Sequence, residues 1–280
     1  MTAAPPSPLS AHRALVGVFD SGLGGLSVLS ALHHTLPTHP LLYVADSGHA
    51  PYGERSDDFI TERTLAVAAH LVEAGAALLV VACNTATAVA VGSIRSTWPQ
   101  LAVVGVEPAI KPAVKASANG RVGVMATPTT LRSARFQHLL ATHAAGTTIV
   151  QQPCPGLAGL IEGGDLEAPA LLALVQRFCE PLREAHVDTV VLGCTHYPFV
   201  RRHIQAALGD SVTLIDTAWP VSRQAARLLG EEAGAPGMPG SVRLQTTGDT
   251  AHLQAVAGRW LDFDVGPVTA ARVPDQPFKS

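Results

Sequence analysis

Excess charge of either sign is missing from this chain. Its 280 residues carry 19 Lys and Arg against 22 Asp and Glu, a net charge of −3, with no basic run. A nucleic-acid-binding surface needs a positive field, so that class of partner is set aside. Cysteine is scarce: there are four, irregularly spaced, with no CxxC pair. Such spacing supports neither a zinc site nor a disulfide framework, and the thiols are expected to be reduced, as in the cytoplasm. Met1 to Ser10 has three prolines but neither an apolar core nor a basic leader. It does not read as a signal peptide, and residues 1–13 are expected to be flexible. One uncharged run, Ala74 to Ile94, is long enough for a membrane span. Asn84, Thr85 and Thr87 lie inside it, and it divides better into a strand and a helix, so buried core is expected and no membrane contact.

Hydrophobic residues make up 47% of the chain and charged residues 15%, the balance of a globular protein long enough for two domains. Short β-branched runs alternate with helical stretches, the pattern of an α/β fold with parallel strands. Val16 to Phe19 reads as a first strand. Asp20-Ser21-Gly22-Leu23-Gly24-Gly25 then turns into a helix ending near Leu36. Leu41 to Ala45, Ala77 to Ala82 and Leu101 to Val106 are further strands, and a helix from Phe59 to Ala74, capped by Ser56 or Asp57, lies among them. Then the pattern restarts. Val122 to Thr127 resembles Val16 to Ser21, 106 residues later, and Cys194 follows Cys83 by 111, each behind a Val-Val strand. Thr213 to Asp216 echoes Val103 to Glu107. This order predicts two similar, pseudo-symmetric halves, each a mostly parallel sheet flanked by helices, with the active site in the cleft between them. The expected boundaries are 14–107 plus 216–280 for the half with Cys83, and 108–215 for the half with Cys194. The tail reads as a helix (Val221 to Leu229), a Gly/Pro-rich link (Gly234 to Gly240), a strand (Val242 to Thr246) and a helix (Thr250 to Leu261). It is expected to return to the first half.

Chemistry-bearing residues gather where strands end, the edge at which open α/β sheets hold ligands. Cys83-Asn84-Thr85 follow one strand, and a thiol there gains from the dipole of the next helix. Gly193-Cys194-Thr195-His196 follow the strand Thr189 to Leu192, ahead of a helix from Phe199 to Leu208. A thiol, a hydroxyl and an imidazole suit a nucleophile or base, an anion donor and a proton partner. A small buried Cys beside a satisfied His is the plain alternative. Asp20 either caps a helix or meets an ammonium and tunes a proton donor. The glycine turn invites a dinucleotide reading, but Ser27 stands where the third glycine of G-x-G-x-x-G belongs, and Asp20 would repel a pyrophosphate. Pro51-Tyr52-Gly53 form a loop with backbone donors and one aromatic wall. Glu162 ends an apolar segment after Cys154-Pro155, either as an exposed helix residue or as part of the cleft. Cys154 and Cys179 lack the strand-end setting and read as structural.

Two cysteines at equivalent strand ends would approach a shared cleft from opposite sides. One thiolate can take a proton while the opposite thiol gives one, and at a chiral carbon that inverts the configuration. A free thiol titrates near pH ~8.5, so neighbours must poise the pair, and Asp20 and His196 are suited to that work. A weakly acidic proton, such as one α to a carboxylate, also needs donors for the developing charge. Ser21, Asn84, Thr85 and Thr195 can supply them.

In these motifs the chain resembles the glutamate racemases of the aspartate/glutamate racemase family. The matching stretches are Asp20 to Val28, Pro51-Tyr52-Gly53, Ala82 to Ala86, Gly123 to Thr130, Cys154-Pro155 with Glu162, and Leu192 to Pro198, in family order. The resemblance implies cofactor-independent interconversion of L- and D-glutamate in the cytoplasm, with D-glutamate destined for peptidoglycan. It implies Cys83 and Cys194 as the acid/base pair, Asp20 assisting the first, His196 the second, and Glu162 near the second. It places substrate contacts at Asp20, Ser21, Tyr52, Gly53, Asn84, Thr85, Thr127, Thr195 and His196. No metal is implied; a muropeptide precursor such as UDP-MurNAc-L-alanine is implied as an activator, and a homodimer as one oligomeric form. The lysines agree on the cofactor. Pyridoxal phosphate needs a Schiff-base lysine, and Lys111, Lys115 and Lys279 all lie away from strand ends. Three other readings stay open: another two-cysteine isomerase of small acids such as an aspartate racemase, a non-catalytic partner of DNA gyrase, and, weakened by Ser27, a dinucleotide oxidoreductase.

Overall fold

The computed structural model describes residues 14–231 and 238–274. The expected flexible segment 1–13 and most of the Gly/Pro-rich link fall outside these residues. Runs such as Val-Gly-Val-Phe and Leu-Leu-Val-Val have no polar face, and a strand of that kind is stable only with both faces covered. Accordingly β1 (Val16–Asp20), β2 (Leu41–Ala45) and β3 (Leu78–Val81) are buried throughout. With β4 (Ala102–Gly105), β9 (Val242–Thr246) and β10 (Thr269–Ala270) they form one parallel sheet in the order β10-β9-β2-β1-β3-β4. The tail does return to the first half, as β9 pairs with β2.

The second sheet is built from β5 (Arg121–Ala126), β6 (Thr148–Pro153), β7 (Thr189–Gly193) and β8 (Thr213–Ile215), in the order β6-β5-β7-β8, again all parallel. β5 takes the place of β1 and β7 that of β3. Cys83 and Cys194 therefore leave equivalent strands at the same end. The chain passes between the sheets at residues 106–109 and again at 216–217.

Alternate residues of each strand serve opposite faces. Val16, Val18, Leu78 and Val80 pack against α1 (Leu26–Thr35) and, from the tail, α10 (Ala218–Leu229) and α11 (Thr250–Trp260). Phe19, Leu79 and Val81 pack against α2 (Asp57–Glu73) and α3 (Asn84–Thr97). In the second sheet Val190 and Leu192 face α7 (Leu157–Glu162), α8 (Pro169–Glu184) and α9 (Arg201–Leu208). Val122, Val124 and Val191 face α4 (Ile110–Ala116), α5 (Pro128–Arg132) and α6 (Ala134–His143). Two helix starts differ from expectation. Ser56 Oγ accepts from Phe59 N, so α2 begins at Asp57. Tyr197–Val200 winds as a 3-10 turn with Pro198 near its start, delaying α9 to Arg201. The uncharged run 74–94 is mostly β3 followed by α3, and no helix among the described residues is long and apolar enough to cross a membrane.

Candidate active site

Strand ends deliver the polar residues to one small cavity. β1 ends in Asp20 and Ser21; β3 leads to Cys83, Asn84 and Thr85; β5 leads to Thr127; β7 leads to Cys194, Thr195 and His196. The cavity is lined by Ser21, Tyr52, Gly53, Cys83, Asn84, Thr85, Thr127, Glu162, Cys194, Thr195 and His196. Asp20 lies behind this wall, fully buried. Every expected site residue except Asp20 thus faces the cavity, and Cys154 and Cys179 do not.

On the first side, Cys83 Sγ lies 3.4 Å from Ser21 Oγ and accepts from Ala86 N at 3.4 Å, so the thiol itself caps α3. Ser21 Oγ donates to Asp20 Oδ1 at 3.5 Å. The Asp20 carboxylate does not cap α1; it accepts from Gly22 N at 2.7 Å and from Thr195 Oγ1 at 2.9 Å. Burial, the largest influence, raises Asp20, while the charge of His196 and the Gly22 N–H oppose it. Burial and the Asp20 charge push the Cys83 thiol up to about 12, so it holds its proton near neutral pH.

On the second side, Cys194 Sγ lies 3.5 Å from His196 Nδ1, and His196 Nε2 bonds the Glu162 carboxylate. That carboxylate also accepts from Leu23 N at 2.6 Å. Burial pulls His196 down, but Cys194 and Glu162 outweigh it and raise the imidazole well above its ordinary value. A cationic ring can donate from both nitrogens, which suits these two partners. Glu162 therefore belongs to the cleft and not to an exposed helix face.

The halves are closed on each other by paired polar contacts. Thr195 reaches Asp20 from one side, and Leu23 reaches Glu162 from the other. Ser27 Oγ donates to Thr195 O at 3.0 Å, Thr85 Oγ1 meets Thr127 Oγ1 at 3.0 Å, and Thr129 Oγ1 donates to Gly53 O at 2.9 Å. The glycine-rich turn now has a physical reason. A Cβ on Gly22 would strike the Glu162 carboxylate, and one on Gly24 the His196 ring. The glycines admit the opposite half, not a pyrophosphate. Between the halves about 20 Å³ is left, room for a single water.

Asn84 Oδ1 and Nδ2 are buried at this cavity without a hydrogen-bond partner. Buried amides left unpaired are costly and rare, so this one is set for a ligand. Tyr52 is held from behind: its hydroxyl donates to Asp46 Oδ2 at 2.6 Å. Asp46 also accepts from Arg63 Nε at 3.0 Å and Nη2 at 2.8 Å, and from Thr247 Oγ1 at 2.8 Å. Sequence reading missed the role of this buried pair. Its signal was an arginine inside the apolar stripe Ile60-Arg63-Thr64-Val67 of α2.

Fold and site together have the layout of an isomerase with its site between two similar halves. The Asp/Glu/Hydantoin racemase family profile matches residues 24–225. The glutamate racemase of Ectopseudomonas mendocina is 49% identical over 249 residues, covering 89% of this chain and 95% of that one. That of Pseudomonas syringae pv. tomato is 55% identical over 214 residues, covering 76% and 78%. Among solved structures, a glutamate racemase isoform from Bacillus anthracis superposes with a TM-score of 0.84 at 30% identity, covering 96% of this chain and 100% of that one. Escherichia coli glutamate racemase, in complex with L-glutamate and the activator UDP-MurNAc-Ala, gives 0.83 at 33% identity, covering 94% and 99%. The chain belongs to the Asp/Glu/hydantoin racemase family, and within it to the glutamate racemases.

Proposed function

We propose that the chain interconverts L- and D-glutamate without a cofactor, with Cys83 and Cys194 as its two acid/base groups. The observation that carries this reading is that both thiols line one cavity from opposite halves, each with its own proton partner. A cavity of one water cannot hold glutamate, so the halves part to admit it and close on it. The unpaired Asn84 amide and the hydroxyls of Ser21, Thr85 and Thr195 then take its polar groups. Cys83 starts with its proton in place. Next to the His196 cation the Cys194 thiolate takes the α-hydrogen from one face of Cα, and Cys83 then gives its proton to the other face of the carbanion. In the reverse direction Cys83 passes its proton through Ser21 toward Asp20 and becomes the base, while the His196 cation protonates Cys194, which gives that proton to the opposite face of Cα. Buried donors around the cavity stabilise the carbanionic transition state more strongly than water would. We include in the proposal a cytoplasmic setting, use of D-glutamate for peptidoglycan, and activation by a muropeptide precursor like the one bound to the Escherichia coli relative.

The test is deuterium incorporation at Cα from heavy water, by mass spectrometry with polarimetry alongside, for each glutamate enantiomer and no added cofactor. Wild type should exchange and invert; Cys83→Ser and Cys194→Ser should each lose inversion while keeping unequal exchange from the two enantiomers. A wild type that neither exchanges nor inverts glutamate, even with the precursor present, would sink the assignment, and aspartate would be tried next.

A further inference from the structure

The contacts that hold Glu162 continue past its carboxylate into the other half of the molecule. Glu162 is the last residue of α7, a six-residue helix that starts after Gly156 (φ +76°) and runs into Gly163 and Gly164 (φ +79°). So short a helix has little stability of its own, and its last carbonyls lack partners within the helix. Gly163 N and Gly164 N bond back to Leu160 O and Ile161 O at 3.2 and 2.9 Å. The carbonyl of Glu162 is met instead by His252 Nε2, at 2.7 Å. A carbonyl only accepts, so Nε2 carries the hydrogen. His252 lies in the first turn of α11, which is itself fixed by Asp249, whose carboxylate accepts from Ala251 N and His252 N at 2.8 and 3.2 Å. Thus a helix packed on the first sheet caps a helix packed on the second.

The packing around this bond leaves little freedom. Trp260, at the end of α11, stacks on Phe199 with ring centroids 3.9 Å apart. Gly164 approaches α11 so closely that a Cβ would lie 2.8 Å from Arg259 Nη2 and 3.2 Å from Val256 Cγ2.

We propose that His252 is a positioning residue for the Cys194 side of the reaction. By capping α7 across the cleft it sets where the Glu162 carboxylate holds His196, and through His196 it acts on Cys194. His252 is not in the cavity wall. The inference rests on the two-cysteine reading.

The experiment compares His252→Ala, His252→Gln and Gly164→Ala with wild type, using protiated and α-deuterated L- and D-glutamate. His252→Ala should lower kcat/KM roughly fivefold, as for one lost hydrogen bond. The loss should fall on one proton transfer. The isotope effect should rise for the enantiomer whose α-hydrogen faces Cys194 and fall for the other, since the Cys194 step has become the slower one. Exchange by Cys83→Ser, which keeps only the Cys194 thiol, identifies that enantiomer. His252→Gln keeps a donor and should recover much of the wild-type ratio. Gly164→Ala strains a positive φ and pushes α7 from α11, so it should shift the ratio in the same sense even where His252→Ala fails to fold. Isotope effects that change equally for both enantiomers, or not at all, would overturn the inference and leave His252 an ordinary helix contact. Inversion surviving in Cys194→Ser would instead overturn the two-cysteine reading, a result visible without any His252 variant.

Discussion

Changing Glu162 to glutamine removes one negative charge and keeps the shape. The amide oxygen still accepts from Leu23 N, so the glycine turn keeps its anchor at 2.6 Å. What disappears is the anion against the His196 cation. That bond is charge-assisted, His196 is 5% exposed and Glu162 16%, so solvent screens it little and about 1.5–3 kcal/mol is at stake. At 1.4 kcal/mol per tenfold that is roughly a 10- to 100-fold loss in kcat/KM where the cation matters. Cys194 and Glu162 are the charges that hold His196 up against burial, so His196 will give up its proton at lower pH in the variant. The basic limb of the pH profile should move toward acid, and activity below it should suffer least. Stability follows the same sign. A raised folded pKa contributes stability that is fully present below the unfolded value and is lost as pH rises through the folded one. In the variant the folded value is lower, so this loss is smaller and is complete at a lower pH, and the fall in Tm with alkali should be shallower. Initial rates by circular dichroism from both enantiomers across neutral and alkaline pH are the assay. Their kcat/KM values must move together, because the enantiomers have equal free energy in water. A basic limb that stays in place, or moves to higher pH, would refute the argument that Glu162 maintains the His196 charge.

Three further outcomes are expected. Asn84→Ala removes two unpaired buried atoms, so thermal unfolding of the free protein should show it unchanged or more stable by about 1–2 kcal/mol, while KM for glutamate rises. Thr195→Val removes the hydroxyl donor to Asp20 at 2.9 Å; Asp20, already raised by burial, should rise further and carry the acid limb of the pH–rate profile to higher pH. Arg63→Ala takes the guanidinium from the buried Asp46 carboxylate, which keeps its bonds from Tyr52 and Thr247, and should cost about 3 kcal/mol, the low end for a broken buried pair, in denaturant unfolding; Arg63→Met with Asp46→Asn should cost less, because no buried charge is then left over.

Much of this molecule is legible in the chain because the governing rules are local. A run such as Leu78–Val81, rich in β-branched residues at its end and bounded by Gly75 and Asn84, reads as a buried strand, and the repeat of Val16 to Ser21 at Val122 to Thr127 announces a second copy. Strand ends follow directly, and with them the settings of Cys83, Asn84, Thr127, Cys194 and Thr195. The return of the tail to pair with β2 follows from where apolar surface is left to cover. Other features are not local. The place of Arg63 in the apolar stripe of α2 marks it as buried, but its partner Asp46 lies on another element and only the fold brings the two together.

Sequence by itself thus determined the strands, their repetition, the two strand-end thiols and the kind of chemistry they allow, since periodicity and chain turning depend on near neighbours. Only the tertiary structure decided which side Glu162 takes, why Gly22 and Gly24 are glycine, and that Asp20 is held by Thr195, 175 residues away. Those contacts join loops and helices beyond the strand ends of two separate sheets, and no local pattern in either half encodes how the two come together.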